Sequence, residues 1–290
     1  MLFRVERGYE MKTVSNRKNI IPRIFCSTIV MSIVLFFIGC AEVPVTHRKG
    51  LHLVPKSELL SLSLRQYDQT LKKSKLSTDQ GKVQMVRRVG ERIARSAEAF
   101  LQESGKKQQI KDYKWEFNLI EDDKLVNAWA MPGGKVAVYT GILPYTKDET
   151  GLAVVMGHEV AHALADHGNE RMSQALLANM GGMALSVALA NKPQQTRELF
   201  LTVFGAGASV GLMLPYSRLH ESEADRIGMV LMARAGYDPR ETITFWERMN
   251  KKEGPRPPEF LSTHPAPASR QANLKTYIPE ALPYYKKPSK

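Results

Sequence analysis

The sequence predicts an α+β fold, mainly helical, with a small mixed sheet just ahead of a central helix. Three observations predict it. Apolar residues recur at helical spacing over 57–73, 78–103 and, as Leu152, Val155, Val160 and Leu164, along a stretch starting near Thr146, each long enough for several helical turns. Trp115, Phe117 and Leu119 alternate instead, and Lys135–Thr140 follows as another strand after the turn signal Gly133-Gly134. The chain has 290 residues, 43% of them hydrophobic, which is enough for one sizeable core. No fixed-period repeat is evident, and the one biased tract is a short Pro-rich patch near 255.

In chain order, Arg17, Lys18 and Arg23 precede an apolar run from Ile24 to Ile38 that ends Gly39-Cys40. A basic region followed by about 15 apolar residues reads as a secretory signal, since a spanning helix wants about 20. A small residue before a cysteine is similar to the bacterial lipoprotein signal. That likeness implies cleavage after Gly39, lipidation of Cys40 and a membrane partner through the lipid. Phe37 departs from the Leu usual at its position, and Met11 is a more ordinary start than Met1. Plain export with Cys40 incidental, or a short uncleaved anchor, are the alternatives. Cys26 and Cys40 are the only cysteines, so the cleaved chain can form no internal disulfide. The expected organisation is therefore signal 1–39, tether 40–55 and one domain over 56–290. In Gram-negative lipoproteins, Ala41 after the cysteine implies the outer membrane, facing the periplasm.

Leu60, Leu64, Tyr67 and Leu71 share one face of the helix over 57–73; Val86, Val89, Ile93, Ala97 and Phe100 share one over 78–103, which Gly105 ends. The strand at Lys135 precedes the central helix. In that place a strand can form the exposed edge on which a peptide lies by main-chain pairing, with Gly134, Lys135, Val136 and Ala137 as the candidate substrate-binding residues. An ordinary sheet strand is the other reading.

Thr146 and Glu149 have capping-box spacing, which puts the start of the central helix near Thr146. Within it lies Gly157-His158-Glu159-Val160-Ala161-His162. Residues four apart share a helix face, so His158 and His162 can aim imidazole nitrogens at one point, as a zinc ion needs. Glu159 can reach a water held there and take its proton. His167 lies nine residues past His158, nearly opposite on a continuing helix, and is read as structural. Residues 172–190 and 198–214 are unusually apolar and joined by the polar stretch Asn191–Arg197; two packed helices, as a lid or packing hairpin, are expected, with membrane contact the lesser reading.

Glu221-Ser222-Glu223-Ala224-Asp225 then supplies a third ligand, Glu221, and a carboxylate one turn on, Asp225, to orient a ligating histidine. Glu223 competes for the ligand role but lies about 200° round the helix from Glu221. His220 is read as incidental. Asp238-Pro239-Arg240-Glu241 opens another helix, and Ser262-Thr263-His264-Pro265 precedes Arg270. The formal charge of +12 is scattered, with no nucleic-acid motif, so no nucleic-acid partner is expected.

Together, Asn127-Ala128-x-Ala130-x-Pro132-Gly133-Gly134, His158-Glu159-x-x-His162, Glu221-x-x-Ala224-Asp225-Arg226 and Ser262-Thr263-His264-Pro265 resemble the HtpX and CAAX-prenyl-protease-type zinc metalloproteases. The resemblance spans roughly 56–285 and is to their short, single-domain bacterial lipoproteins. It implies a helix-rich, gluzincin-type zincin domain with one zinc ion per chain. The implied activity is endopeptidase cleavage, often of misfolded or misassembled envelope proteins. It also brings in His264, which Pro265 confines to extended backbone. A histidine there could stabilise an oxyanion, or fill the fourth metal position and hold the site latent; a buried loop histidine bonded to backbone is the other reading. A chaperone-like protein with a structural or latent zinc site, and a membrane-surface adaptor, are the rival readings. An intact Glu159 and only three placed ligands favour catalysis.

Overall fold

The computed structural model describes residues 40–43, 45–208, 214–251, 258–265 and 268–286. The expected signal segment 1–39, Gly211 and most of the Pro-rich patch near 255 lie outside the described residues. Two short strands, β1 (Cys40–Glu42) and β2 (Lys49–Leu51), pair with each other. Helix α1 (Lys56–Lys73) and helix α2 (Gln80–Glu103) follow, and Asp79 caps α2 by accepting from Lys82 N at 3.1 Å. The described residues of 41–54, a stretch with no clear period in sequence, pack on the domain: Val43 is buried, and the Leu53 and Val54 amides donate to Ser173 and Asn169.

The sheet holds β3 (Glu116–Ile120), β4 (Ala128–Met131) and β5 (Lys135–Tyr139) in the order β3-β5-β4. β3 runs parallel to β5, while β4 pairs with it antiparallel through a tight turn at Gly133 and Gly134, both at positive φ. This corrects the expectation for the strand at Lys135. β5 is central, paired on both sides, and Val136 and Ala137 are fully buried. The edges are β3, whose outer side pairs with residues 75–77, and β4. Tyr139 N donates to Asn127 O, which makes Trp129–Ala137 and Met131–Lys135 the hydrogen-bonded pairs and turns the Ala128 and Ala130 main-chain groups away from β5.

A short helix, α3 (Leu143–Thr146), precedes the central helix α4 (Glu149–Leu164). Thr146 ends α3 rather than capping α4, because Lys147 adopts positive φ and breaks the chain between them. The cap is Asp148, which accepts from Thr150 N at 2.8 Å and Gly151 N at 3.0 Å. Every residue of α4 from Gly151 to Leu164 is buried, as befits a helix apolar on nearly all faces. α2 and the sheet's β4 pack against it.

After Leu164 the backbone turns at Asp166, in the left-handed region that Asp tolerates, and α5 (His167–Ala188) begins. The Tyr113 hydroxyl donates to Ala163 O in the last turn of α4. α6 (Gln194–Ala208) packs back on α5 as the expected two-helix hairpin, with Phe204 over Gly181. Met183, Val187, Leu199, Phe200 and Val203 of the hairpin are more than half exposed. No described helix is long and apolar enough to cross a membrane.

α7 (Leu214–Arg234) crosses α4 at Gly157 and Gly228. A Cβ on Gly157 would lie 2.9 Å from Gly228 O, so only glycine permits this approach. α8 (Glu241–Asn250), α9 (Glu259–Thr263) and α10 (Ala268–Ala281) follow, and a short 3-10 turn (Leu282–Tyr284) comes after them. α8 starts two residues after Pro239, the Asp238 carbonyl and carboxylate being taken up by the amides of Glu241 and Arg240.

Candidate metal centre

The crossing of α4 and α7 brings the predicted ligands together. One ligand atom each from His158, His162, Glu221 and His264 lie within 4.8 Å of one another, and all four residues are buried. His158 Nε2 is 3.1 Å from His162 Nε2 and 3.2 Å from Glu221 Oε2; His162 Nε2 is 3.4 Å from Glu221 Oε1. Bonds of about 2.0–2.1 Å to a tetrahedral zinc imply ligand separations of ~3.3 Å. Two imidazole lone pairs and a carboxylate converging at this spacing fit such an ion.

His264 caps the end of α9 outside the helical region, which its following proline disfavours, but at ψ 77° it falls short of the fully extended backbone expected of it. Its Nδ1 lies 3.2 Å from His158 Nε2 and 3.1 Å from Glu221 Oε2, so it stands as a fourth donor to the same point. Its Nε2 is 3.3 Å from Glu159 Oε1. That Glu159 oxygen is buried and makes no hydrogen bond among the described residues. Burial pushes the Glu159 carboxyl up, against the opposing pull of His264 and His158. A buried carboxylate oxygen that makes no hydrogen bond, beside a metal-sized cluster, suits a group that works on a bound water.

The remaining charges are set by what stands behind each ligand. Asp225 Oδ1 lies 3.0 Å from His158 Nδ1. Arg270 holds Asp225 through two bonds of 2.7 Å and lies 3.5 Å from the Trp246 ring centroid. Burial opposes protonation of His158, but Asp225 and Glu221 outweigh it and push the metal-free imidazole up to about 9. His162 goes the other way: burial holds it well below the usual range, despite Glu221. Glu221 itself, though burial works to raise it, is held far below the carboxylate range by its three histidines.

His167 corrects the sequence reading in its reason. The helix on which it would face away from His158 ends at Leu164, and the turn at Asp166 brings its Nδ1 to 2.8 Å from His162 Nδ1. His220 is not incidental either. It is buried, stacks on His167 with ring centroids 4.2 Å apart, and places Nε2 3.1 Å from Glu170 Oε2. Glu223 lies off the metal point, as its angular offset predicted, and accepts from Arg48, Thr46 and His167. Arg48, Thr46 and Glu170 were missed altogether. Nothing in their spacing marks them, because they meet only after the 41–54 segment folds back.

A buried two-histidine, one-glutamate cluster on crossing helices, beside a small mixed sheet, defines a mainly helical zincin-like domain. The chain belongs to peptidase family M48, which its residues 84–278 match. It is 40% identical over 174 residues to the mitochondrial metalloendopeptidase OMA1 of Schizosaccharomyces pombe, covering 59% of this chain and 49% of that protein. To human OMA1 it is 30% identical over 259 residues, 87% of this chain and 48% of the relative. To the β-barrel assembly-enhancing protease of Escherichia coli K12 it is 35% identical over 173 residues, 58% of this chain and 35% of the relative. The chain thus spans about half the length, or less, of these curated relatives, and the relatives are OMA1 and β-barrel assembly-enhancing proteases rather than specifically HtpX or CAAX enzymes.

Proposed function

We propose that the protein is a zinc-dependent endopeptidase of the bacterial cell envelope, acting in quality control of envelope proteins. The observation that carries the activity is the convergence of His158, His162 and Glu221 beside a buried Glu159 oxygen that makes no hydrogen bond among the described residues. A zinc ion held by these three ligands supplies a polarised water and a Lewis acid for the peptide carbonyl. Glu159 Oε1 receives the proton of the attacking water and returns it to the leaving amine. Asp225 fixes His158 with its proton on Nδ1 and its lone pair on Nε2. The outer edge of β4, through the main-chain groups of the half-buried Ala130, takes the extended substrate.

The test is Glu159→Gln. The variant keeps its zinc and its fold but loses about 10²–10⁴-fold of chelator-sensitive casein cleavage. Activity within tenfold of wild type would falsify the assignment, and loss of the metal would make Glu159 a ligand. Casein left uncleaved by the zinc-loaded wild type supports the chaperone-like or adaptor reading instead.

For His264, the distances to His158 and Glu221 favour the latent fourth ligand over oxyanion stabilisation. On that reading His264→Ala raises turnover at saturating substrate, and a fall of tenfold or more restores the oxyanion role. The envelope placement rests on the lipoprotein-type segment ending at Cys40, and the E. coli relative, named for β-barrel assembly, supports a substrate among envelope proteins. Acylation puts a diacylglyceryl cysteine at residue 40 in membrane-extracted protein and makes Cys40→Ser release or misprocess the chain. An unmodified terminus elsewhere refutes it.

A further inference from the structure

His162 turns Nε2 towards the metal point, so what its other ring nitrogen meets decides how it is held. That nitrogen, Nδ1, lies 2.8 Å from Nδ1 of His167. Two neutral imidazoles share one proton across such a contact: one nitrogen donates and the other accepts. When His162 Nε2 gives its lone pair to a metal, its proton is on Nδ1, and His167 Nδ1 must accept. The His167 proton then sits on Nε2, which faces Glu223 Oε2 at 3.3 Å. Glu223 is a carboxylate with donors on its other sides: Thr46 Oγ1 at 2.5 Å, Arg48 Nε at 2.9 Å and Arg48 Nη2 at 2.7 Å. Arg48 also donates to both oxygens of Glu170, at 2.8 and 2.7 Å. His220 stacks on His167 and contacts Glu170, closing the group from behind.

Each link admits one direction of donation. An arginine has no acceptor, so Glu223 must accept from it; a carboxylate has no proton to give, so His167 Nε2 must donate. The direction of every bond back to His162 follows from the arginine.

We propose that His167, Glu223 and Arg48 form a positioning relay that fixes His162 as the Nδ1-protonated tautomer, making the segment at residues 46–48 part of the metal site. The inference rests on the zinc reading above. It adds that the segment just past Cys40, far from the His-Glu-x-x-His motif in sequence, sets the affinity of the site. It also explains why Gly50 stands in β2, since a Cβ there would lie 2.9 Å from Glu170 Oε2.

The test measures zinc affinity of the full chain by competition with a chelator, alongside thermal melting. His167→Phe keeps a ring of similar size but removes the acceptor, and is expected to weaken zinc binding 10–100-fold. Arg48→Met is expected to weaken it several-fold, with part of the loss restored in Arg48→Lys. A second readout, independent of any variant's folding, is the histidine tautomer by nitrogen NMR of the zinc-loaded wild type. His162 should be protonated on Nδ1 and His167 on Nε2. A folded His167→Phe that binds zinc as tightly as wild type overturns the relay, as does a His167 proton on Nδ1. Wild-type protein that binds no zinc overturns the relay and the endopeptidase reading together, whereas failure of the variants alone leaves that reading intact.

Discussion

The two histidines of the metal helix are buttressed differently, although both supports end in an arginine clasped to a carboxylate of α7. Behind His158 stands Asp225 directly, held by Arg270 from α10, with Trp246 beneath the guanidinium. Behind His162 a second histidine intervenes, and the arginine comes from the 41–54 segment at the other end of the chain. The difference shows in the charges. An anion against His158 pushes its metal-free imidazole up to about 9, while a neutral ring against His162 leaves burial to push it down. His167 is itself held down to about 4, by burial first and by His220 against the pull of Glu223. One support therefore makes a proton-holding ligand and the other a ligand with its lone pair already free.

The largest effect should come from breaking both supports at once. Gly228→Ala puts a Cβ 2.9 Å from Gly157 C and His158 N, where backbone cannot yield. It should cost about 3 kcal/mol, and a melting curve should fall by roughly 10 °C. A change of under 2 °C would show that α4 and α7 can part without harm.

Next is the direct support alone. Asp225→Asn keeps shape but removes the anion behind His158. Zinc affinity should fall about 10–100-fold, and the high proton affinity of the metal-free His158 should go with it. Competition titration at several pH values reads both.

The His158 imidazole and the carboxylates held by Arg48 should also lose their stabilisation at opposite ends of the pH scale in metal-free protein. His158 is raised above its ordinary value of 6.5 to about 9, so its stabilisation is full below 6.5 and lost as pH rises through 9. Glu170 and Glu223 are each lowered from 4.5 to about 2; burial acts to raise them, but bonds from His220 or His167 and from Arg48 win. Their stabilisation is full above 4.5 and lost as pH falls towards 2. Arg48→Met should move the acid transition upward and leave the alkaline one in place. Melting temperatures across the range would show an acid limb that does not move if Arg48 is dispensable.

The smallest effect should be Thr46→Val, which removes one of several donors to Glu223 and should cost about 1 kcal/mol in chemical denaturation. Its zinc affinity should stay within a few-fold of wild type.

What the sequence by itself determined is what local backbone geometry dictates. His158 and His162 share a face because the helix repeats every 3.6 residues, and Glu221 and Asp225 share one for the same reason. The long amphipathic helices, the turn at Gly133-Gly134 and the non-helical backbone of His264 were legible on the same footing. The tertiary structure alone decided the rest. β5 became the central strand and β4 the edge because pairing between segments distant in sequence sets strand order. His167 came round to His162 because the chain turned at Asp166, a break that only packing settles in a residue type tolerating two conformations. Arg48 reached Glu223 and Glu170 across more than a hundred residues, where no periodicity carries information. The metal helix could be read because its chemistry repeats along one element; its supports could not, because each partner is contributed by a different part of the chain.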